Sequence, residues 1–109
     1  MLENVGRDLE HYMSLLSARQ NVVASNIANI DTPGYKTRDV DFQSELDSQL
    51  SAAHVVEVQG LATKNDGNNV SLDREARLLA ENALRFNIAS NLVRVEMREI
   101  RAAIQDGKA

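Results

Sequence analysis

Apolar residues recur every three or four positions in both terminal parts of the chain, and this spacing predicts two long helices. In residues 72–104 the steps alternate between four and three without a break, and Ser90 is the one polar member. A repeat near 3.5 residues sustained over about four heptads is typical of a helix packed lengthwise on another helix. The positions are Leu72, Ala76, Leu79, Ala83, Phe86, Ser90, Val93, Met97, Ile100 and Ile104.

The same spacing predicts a first helix over residues 2–30, in which Arg19 and Asn26 take two of the apolar slots. At about 1.5 Å per residue, this helix would be roughly 43 Å long. We predict that the two helices pair along their stripes, as a coiled-coil-like hairpin. The pairing seam is predicted to comprise Val5, Leu9, Tyr12, Leu16, Val23, Leu79, Ala83, Phe86, Val93, Met97, Ile100 and Ile104.

A second apolar stripe lies beside the first on the C-terminal helix and consists of Leu78, Ile88, Leu92 and Val95. A pair of helices buries one face of each helix, so the second stripe needs another surface to cover it. The pattern therefore predicts that the folded form exists within an assembly. A self-contained hairpin or a four-helix dimer stays open as the simpler interpretation of the same stripes.

The ends of the second helix carry recognisable signals. Ser71 is a candidate N-cap, and Asp73 and Glu75 lie near the positive end of the helix dipole. Gly107 is a candidate stop residue after the last apolar position.

The middle of the chain, residues 31–70, lacks helical periodicity over most of its length. A short helical turn is predicted from Phe42 to Leu50, a short strand over residues 54–58, and a turn over residues 64–69. The predicted fold class is therefore all-α. Residues 1–30 and 71–109 would form one helical domain, and residues 31–70 would form a polar, mostly irregular loop region.

Composition narrows the possible functions. The chain has 109 residues and a net charge of −4, which argues against binding nucleic acid through its phosphates. No run of Lys or Arg offers a membrane patch, and no apolar run reaches the roughly 20 residues that span a bilayer. The first ten residues lack the apolar segment of a cleaved signal peptide, so any export is expected to proceed without one.

Candidate chemistry is sparse. The chain has no cysteine, and its two histidines, His11 and His54, lie far apart in sequence without a partner at metal-ligand spacing. Asp39 and Asp41 alternate with apolar residues, which predicts an extended edge with the acids facing solvent. No nucleophile, base and acid occur in a catalytic pattern. We therefore expect no enzymatic activity, cofactor, metal or small-molecule substrate.

The most unusual segment is the polar run that ends the first helix. It is dense in side chains that compete for backbone hydrogen bonds, and Pro33 with Gly34 prevents the helix from continuing. The junction residues are Ser25, Asn26, Asn29, Asp31, Thr32, Pro33, Gly34 and Tyr35. Two interpretations of Asn26 remain open: part of a capped helix end, or a buried amide that fixes helix register.

This run, with the helix before it, resembles the N-terminal signature of bacterial flagellar rod, hook and hook-associated proteins. The core of that signature is Ser-Asn-Ile-Ala-Asn at residues 25–29, followed by Asp-Thr-Pro-Gly-Tyr at residues 31–35. A second block, in residues 38–42, 66–75 and 79–86, is similar to the proximal rod proteins in particular. The chain departs from them at Ala76, where they commonly carry Met, and in its shorter middle region.

The resemblance implies a structural role in cell motility. Such proteins are exported by the flagellar type III apparatus without a cleaved signal and assemble into the helical tube that crosses the periplasm and transmits motor torque. The implied partners are further copies of the chain, other rod proteins such as FlgC-like neighbours, the basal-body base with its membrane ring, and the export apparatus. From the residues alone, a soluble helical adaptor or chaperone-like module that binds another protein's helix is the alternative.

Overall fold

The computed structural model describes residues 2–48 and 53–107. Its two long helices are α1 (Leu2–Ala28) and α3 (Leu72–Gly107), and between them lie β1 (Arg38–Val40), α2 (Phe42–Ser48) and β2 (Val55–Glu57). The prediction of a mostly helical fold with long terminal helices is confirmed. The molecule is elongated, with extents of 70 × 24 × 18 Å, because the two helices lie lengthwise against each other.

α1 ends and α3 begins where the sequence supplies a signal for it. α1 ends at Ala28, two residues before the predicted bound, as the polar junction begins. α3 begins directly after Ser71, whose Oγ accepts a hydrogen bond from the Arg74 backbone N–H at 3.2 Å. This is N-cap geometry, which satisfies one of the free N–H groups of the first turn. α3 then continues to Gly107.

The middle segment is more ordered than its composition suggests. β1 and β2 form an antiparallel pair in which Arg38 faces Glu57 and Val40 faces Val55. β1 and α2 both pack on α1, which therefore has a second packed face besides the one toward α3. The helical turn predicted to reach Leu50 is α2 as far as Ser48, and Leu50 itself lies outside the described residues.

The acidic edge predicted in this segment is wrong at Asp39, which is buried rather than facing solvent. Its carboxylate lies between the guanidinium groups of Arg19 and Arg74. A carboxylate can be buried when it is paired and hydrogen-bonded. Neither arginine is near Asp39 in sequence, so the alternation of polar and apolar residues did not reveal the pairing.

The line along which α3 contacts α1 differs from the predicted seam. The buried residues of α3 are Glu75, Asn82 and Ala89. With about 100° of rotation per residue, that line lies roughly 50° around α3 from the line through Leu79, Phe86 and Met97. The physical reason is polar pairing, since Asn82 donates to the Leu16 carbonyl at 2.9 Å and Glu75 pairs with Arg74, which also reaches Asp39.

Within one chain, the predicted seam residues therefore have different environments. On α1, Leu16 and Val23 are buried, Leu9 and Tyr12 are half-buried, and Val5 is exposed. On α3, Val93 and Ile100 are half-buried. The remaining seam residues of α3 are exposed: Leu79, Ala83, Phe86, Met97 and Ile104.

Candidate functional site

The densest set of specific contacts joins the segment 25–37, which includes the predicted junction residues, to the loop 64–70. From here on, the junction means these two segments together. Asn26 lies at its centre and is fully buried. Its Nδ2 donates to the Arg38 carbonyl at 2.8 Å, and its Oδ1 accepts from the Arg38 N–H at 3.1 Å. The Tyr35 hydroxyl donates to the same Oδ1 at 3.1 Å. Asn26 is thus a buried amide, but it orients the start of β1 rather than the partner helix.

The carbonyl groups at the end of α1 are capped from the distant loop. The Asn68 Nδ2 donates to the carbonyls of Asn29 and Thr32, at 2.9 and 2.8 Å. The Lys64 ammonium donates to the Ile30 carbonyl at 3.1 Å. Since helix C-termini leave carbonyls without intrahelical partners, these contacts fix where the chain leaves α1. Asn68 is fully buried, and sequence reasoning recognised only a turn there.

Two glycines let the two loops of the junction meet backbone to backbone. Gly34 and Gly67 have φ angles of 76° and 88°, in the left-handed region that favours glycine. The Gly34 N–H donates to the Asp66 carbonyl at 2.9 Å. A Cβ on Gly67 would lie 3.3 Å from the Gly34 Cα. The positive φ therefore explains why the motif places Gly after Pro33, and the close approach adds a second requirement for glycine at Gly67.

A second set of bonds ties the entry of β1 to the entry of α3. The buried Thr37 donates from its N–H to Asn69 Oδ1 at 2.6 Å, and from its hydroxyl to the Asn69 carbonyl at 3.1 Å. Asn68 Oδ1 accepts from the Val70 N–H at 2.9 Å, just before the N-cap Ser71. The junction thereby holds the end of α1 and the start of α3 in one arrangement.

Next to the junction, a charged cluster joins α1, β1 and α3. The Arg19 guanidinium makes two parallel bonds to the Asp39 carboxylate, at 3.0 and 2.9 Å, and stacks 5.0 Å above the Phe42 ring. Arg74 reaches Asp39 at 3.4 Å and the buried Glu75 at 2.8 Å. Bidentate Arg–carboxylate pairs are strong and directional, so this cluster orients α1, β1 and α3 relative to one another.

A smaller cluster holds α2 on α1. The fully buried Glu45 accepts from the backbone N–H of His54 at 2.7 Å, and from its ring Nδ1. The His54 backbone hydrogen bond is the main reason that the pKa of Glu45 is lowered from its ordinary value. His11 on α1 donates from Nε2 to the Glu45 carbonyl at 2.7 Å. The two histidines therefore have structural partners.

The remaining predicted junction residues are peripheral. Asp31 and Pro33 lie exposed on the turn, and Ser25 and Thr32 are exposed with hydrogen bonds inside the junction. Within residues 2–48 and 53–107, no group of three or more His, Asp or Glu side chains is placed to hold a metal ion. Neither long helix, over its described length, is apolar enough to cross a membrane. The contacts of the junction thus hold the helices and strands in fixed positions relative to one another.

Comparison with known proteins identifies the family. Residues 13–36, which contain the whole Ser25–Tyr35 motif, match the family described as flagella basal body rod protein. The flagellar basal body rod protein FlgB of Escherichia coli K12 is 30% identical over 87% of this chain and 88% of its own length. FlgB of Salmonella typhimurium LT2 is 29% identical over the same shares, and FlgB of Bacillus subtilis 168 is 26% identical over 94% of each chain. The family predicted from the motifs is confirmed: the chain belongs to the FlgB family of flagellar basal body rod proteins and is a structural subunit of the basal-body rod.

Proposed function

We propose that this rod subunit assembles with further copies and with other rod proteins into a helical tube that transmits motor torque without enzymatic activity. The observation that carries the proposal is the exposure of large apolar side chains all along α3. Leu84, Leu92 and Ile104 are each at least half exposed in the single chain. Apolar faces of this length mark interaction surfaces in folded proteins. Packing against neighbouring subunits would cover them.

The junction gives the subunit the stiffness that such a role requires. A shaft transmits torque only if each subunit keeps its own shape under load. The Asn68 side chain bonds to the backbone just after α1 and just before α3, and the Asn26 and Asn69 side chains bond to the backbone at the entry of β1. The Arg19–Asp39 pair braces α1 against β1. Buried and fully paired polar groups of this kind specify one arrangement of the backbone. Residues 36–70 would then lie outside the helical layer and contact adjacent subunits.

The small apolar core supports folding that is coupled to assembly. In the described part of the chain, the buried apolar residues are Leu15, Leu16, Val23, Val40, Val70 and Ala89. Such a core gives a chain of this size little stability alone, and association then supplies the rest. A chain that folds only on assembly suits export through the flagellar type III apparatus without a cleaved signal. In the assembled rod, its neighbours would be FlgC-like rod proteins and the basal-body base with its membrane ring.

The proposal is tested by far-UV circular dichroism and light scattering of the purified chain over a wide range of concentration. Helicity that rises with association, and growth without a fixed stoichiometry, is the expected result for a rod subunit. Expression in a bacterium that lacks its own FlgB should also restore swimming. A stable helical monomer that fails to restore swimming and binds another protein at fixed stoichiometry would instead indicate an adaptor.

A further inference from the structure

The chain contains two Asp-Gly steps, Asp66-Gly67 in the junction and Asp106-Gly107 at the end of α3. This dipeptide is reactive, because glycine has no Cβ to keep its nitrogen away from the side-chain carboxyl of the aspartate. A bond forms between that nitrogen and Cγ, the carboxyl hydroxyl leaves with the amide proton as water, and a succinimide ring results. Water that adds to the ring carbonyl next to Cα then gives isoaspartate, in which the main chain runs through the side-chain carboxyl.

In the folded junction, hydrogen bonds hold the groups that this reaction must move. The Gly67 N–H donates to the Lys64 carbonyl at 2.9 Å, so the attacking nitrogen is occupied. The Asp66 carboxylate accepts from the Asn68 N–H at 3.0 Å, and the Asp66 carbonyl accepts from the Gly34 N–H at 2.9 Å. Ring closure moves the carboxyl and removes the Gly67 proton, so these bonds have to open first. Protection comes from bonding rather than burial, since Asp66 is exposed.

The second Asp-Gly step provides a comparison within the same chain. Asp106 and Gly107 are both exposed and lie in the last turn of α3. Helix ends fray, so the backbone bonds of this turn open readily. The same dipeptide therefore occurs once inside a network of bonds to distant residues and once at an end that opens by itself.

Isoaspartate does not fit into the closed junction. It inserts the Cβ methylene of Asp66 into the main chain and leaves the former backbone carbonyl as a free carboxylate. Gly67 would then have to move, although a single added Cβ there already lies 3.3 Å from the Gly34 Cα. The next residue, Asn68, is fully buried and caps two carbonyls after α1, so a displaced Gly67 pulls this cap out of position. The modified loop therefore loses the contacts that close the junction.

We propose that Asp66 is a site of spontaneous isoaspartate formation that reacts only while the junction is open, and that the modified chain is excluded from the folded state. Closing of the junction is thus also a chemical protection of the chain. An unfolded chain loses the ability to fold with time, as Asp66 reacts. Both statements hold for the single chain and do not depend on what it assembles with.

Peptide mapping tests the site, because trypsin places each Asp-Gly step in its own peptide, residues 65–74 and residues 102–108. The full chain is incubated in one buffer with and without urea, at a concentration where circular dichroism without urea shows the helices formed. Electron-transfer fragmentation then locates isoaspartate, which has the same mass as aspartate. In urea both steps should react at similar rates. Without urea, the reaction should slow about tenfold or more at Asp66 and much less at Asp106.

A variant that loosens the junction locally separates its protection from general folding. Thr37→Val removes the hydroxyl bond to the Asn69 carbonyl and keeps the shape of the side chain. It should speed the reaction at Asp66 without urea and leave the reaction at Asp106 unchanged. Thr63→Val, at an exposed position just before the loop, is the matched control and should change neither rate.

Refolding tests the exclusion of the modified chain. After incubation in urea the chain is diluted to refold, and size-exclusion chromatography separates folded from unfolded protein. Isoaspartate at Asp66 should be depleted severalfold from the folded fraction, while isoaspartate at Asp106 is distributed evenly. Reaction at Asp106 but not at Asp66 in urea would overturn the site, and equal rates at Asp66 with and without urea would overturn its protection. Equal amounts of isoaspartate at Asp66 in the two fractions would overturn the exclusion.

Discussion

Replacing Asn26 by Ala tests whether the junction motif is a structural clamp. The side chain makes three hydrogen bonds in a fully buried position, two with the Arg38 backbone and one with the Tyr35 hydroxyl. At about 1 kcal/mol of net stabilisation for each bond, the substitution should lower the free energy of unfolding by about 3 kcal/mol. For a chain of this size that corresponds to a fall in Tm of roughly 15 °C.

The assay is thermal unfolding followed by far-UV circular dichroism, with both proteins at the same concentration because association also stabilises the fold. Asn29→Ala is the matched control. Asn29 belongs to the same motif, but its two side-chain bonds, from Nδ2 to the Ser25 carbonyl and from the Thr32 hydroxyl to Oδ1, are exposed, so their loss should cost at most about 1 kcal/mol.

Hydrogen exchange gives a local measurement of the same clamp. The Arg38 amide donates to Asn26 Oδ1, so its exchange should accelerate in the Asn26→Ala variant and stay slow in Asn29→Ala. Equal losses of stability in the two variants, together with an unchanged Arg38 amide, would refute the clamp. The motif would then have to be explained by contacts outside the single chain.

Three further substitutions test the other features. Gly67→Ala should destabilise the fold by about 1–3 kcal/mol in chemical denaturation, more than Gly60→Ala, since both have positive φ but only Gly67 has backbone close to the added Cβ. The folded-state pKa of Glu45 is lowered from its ordinary 4.5. The ionised carboxylate therefore contributes fully to the free energy of unfolding above pH 4.5, and this contribution is lost as the pH falls through the lowered pKa. Acid titration of stability should therefore flatten in Glu45→Gln, and an unchanged profile would contradict the assignment. Phe86→Asp should abolish assembly in light scattering while Asn91→Asp, also exposed on α3, retains it, because only the first of the two puts a charge into the apolar cleft between α1 and α3.

The helices were predictable from the sequence because their apolar spacing is long and regular. Ser71, the N-cap of α3, also followed from local chemistry alone. The rotation of α3 was not predictable in this way. Glu75 and Asn82 are polar by type, and they face α1 only because Arg74 pairs with Glu75 and because Asn82 donates to the Leu16 carbonyl at 2.9 Å.

The junction was only half visible in the sequence for a similar reason. The segment Ser25–Tyr35 was recognised by its density of capping side chains and by the family signature. Its partners, Asn68 and Asn69, lie more than 30 residues away, and a turn-rich segment gives no indication of which carbonyl groups it will cap. Asp39 shows the same limit, because its buried charge is set by arginines 20 and 35 residues distant.

The contact between Gly34 and Gly67 has a consequence for how this fold tolerates changes in length. Gly34 lies in the turn after α1 and Gly67 in the loop before α3, so their contact brings these two segments together. The hydrogen bonds between Thr37 and Asn69 secure the chain next to this contact. Everything from Arg38 to Ala62 is then an excursion whose two ends are already joined. Changes of length between α2 and β2, outside the contacts of Asp39 and Glu45, can then be accommodated without altering the spacing of the helices, since the entropy of closing a longer loop grows slowly with its length. The middle segment thus combines fixed contacts at β1 and α2 with a connection whose length can vary.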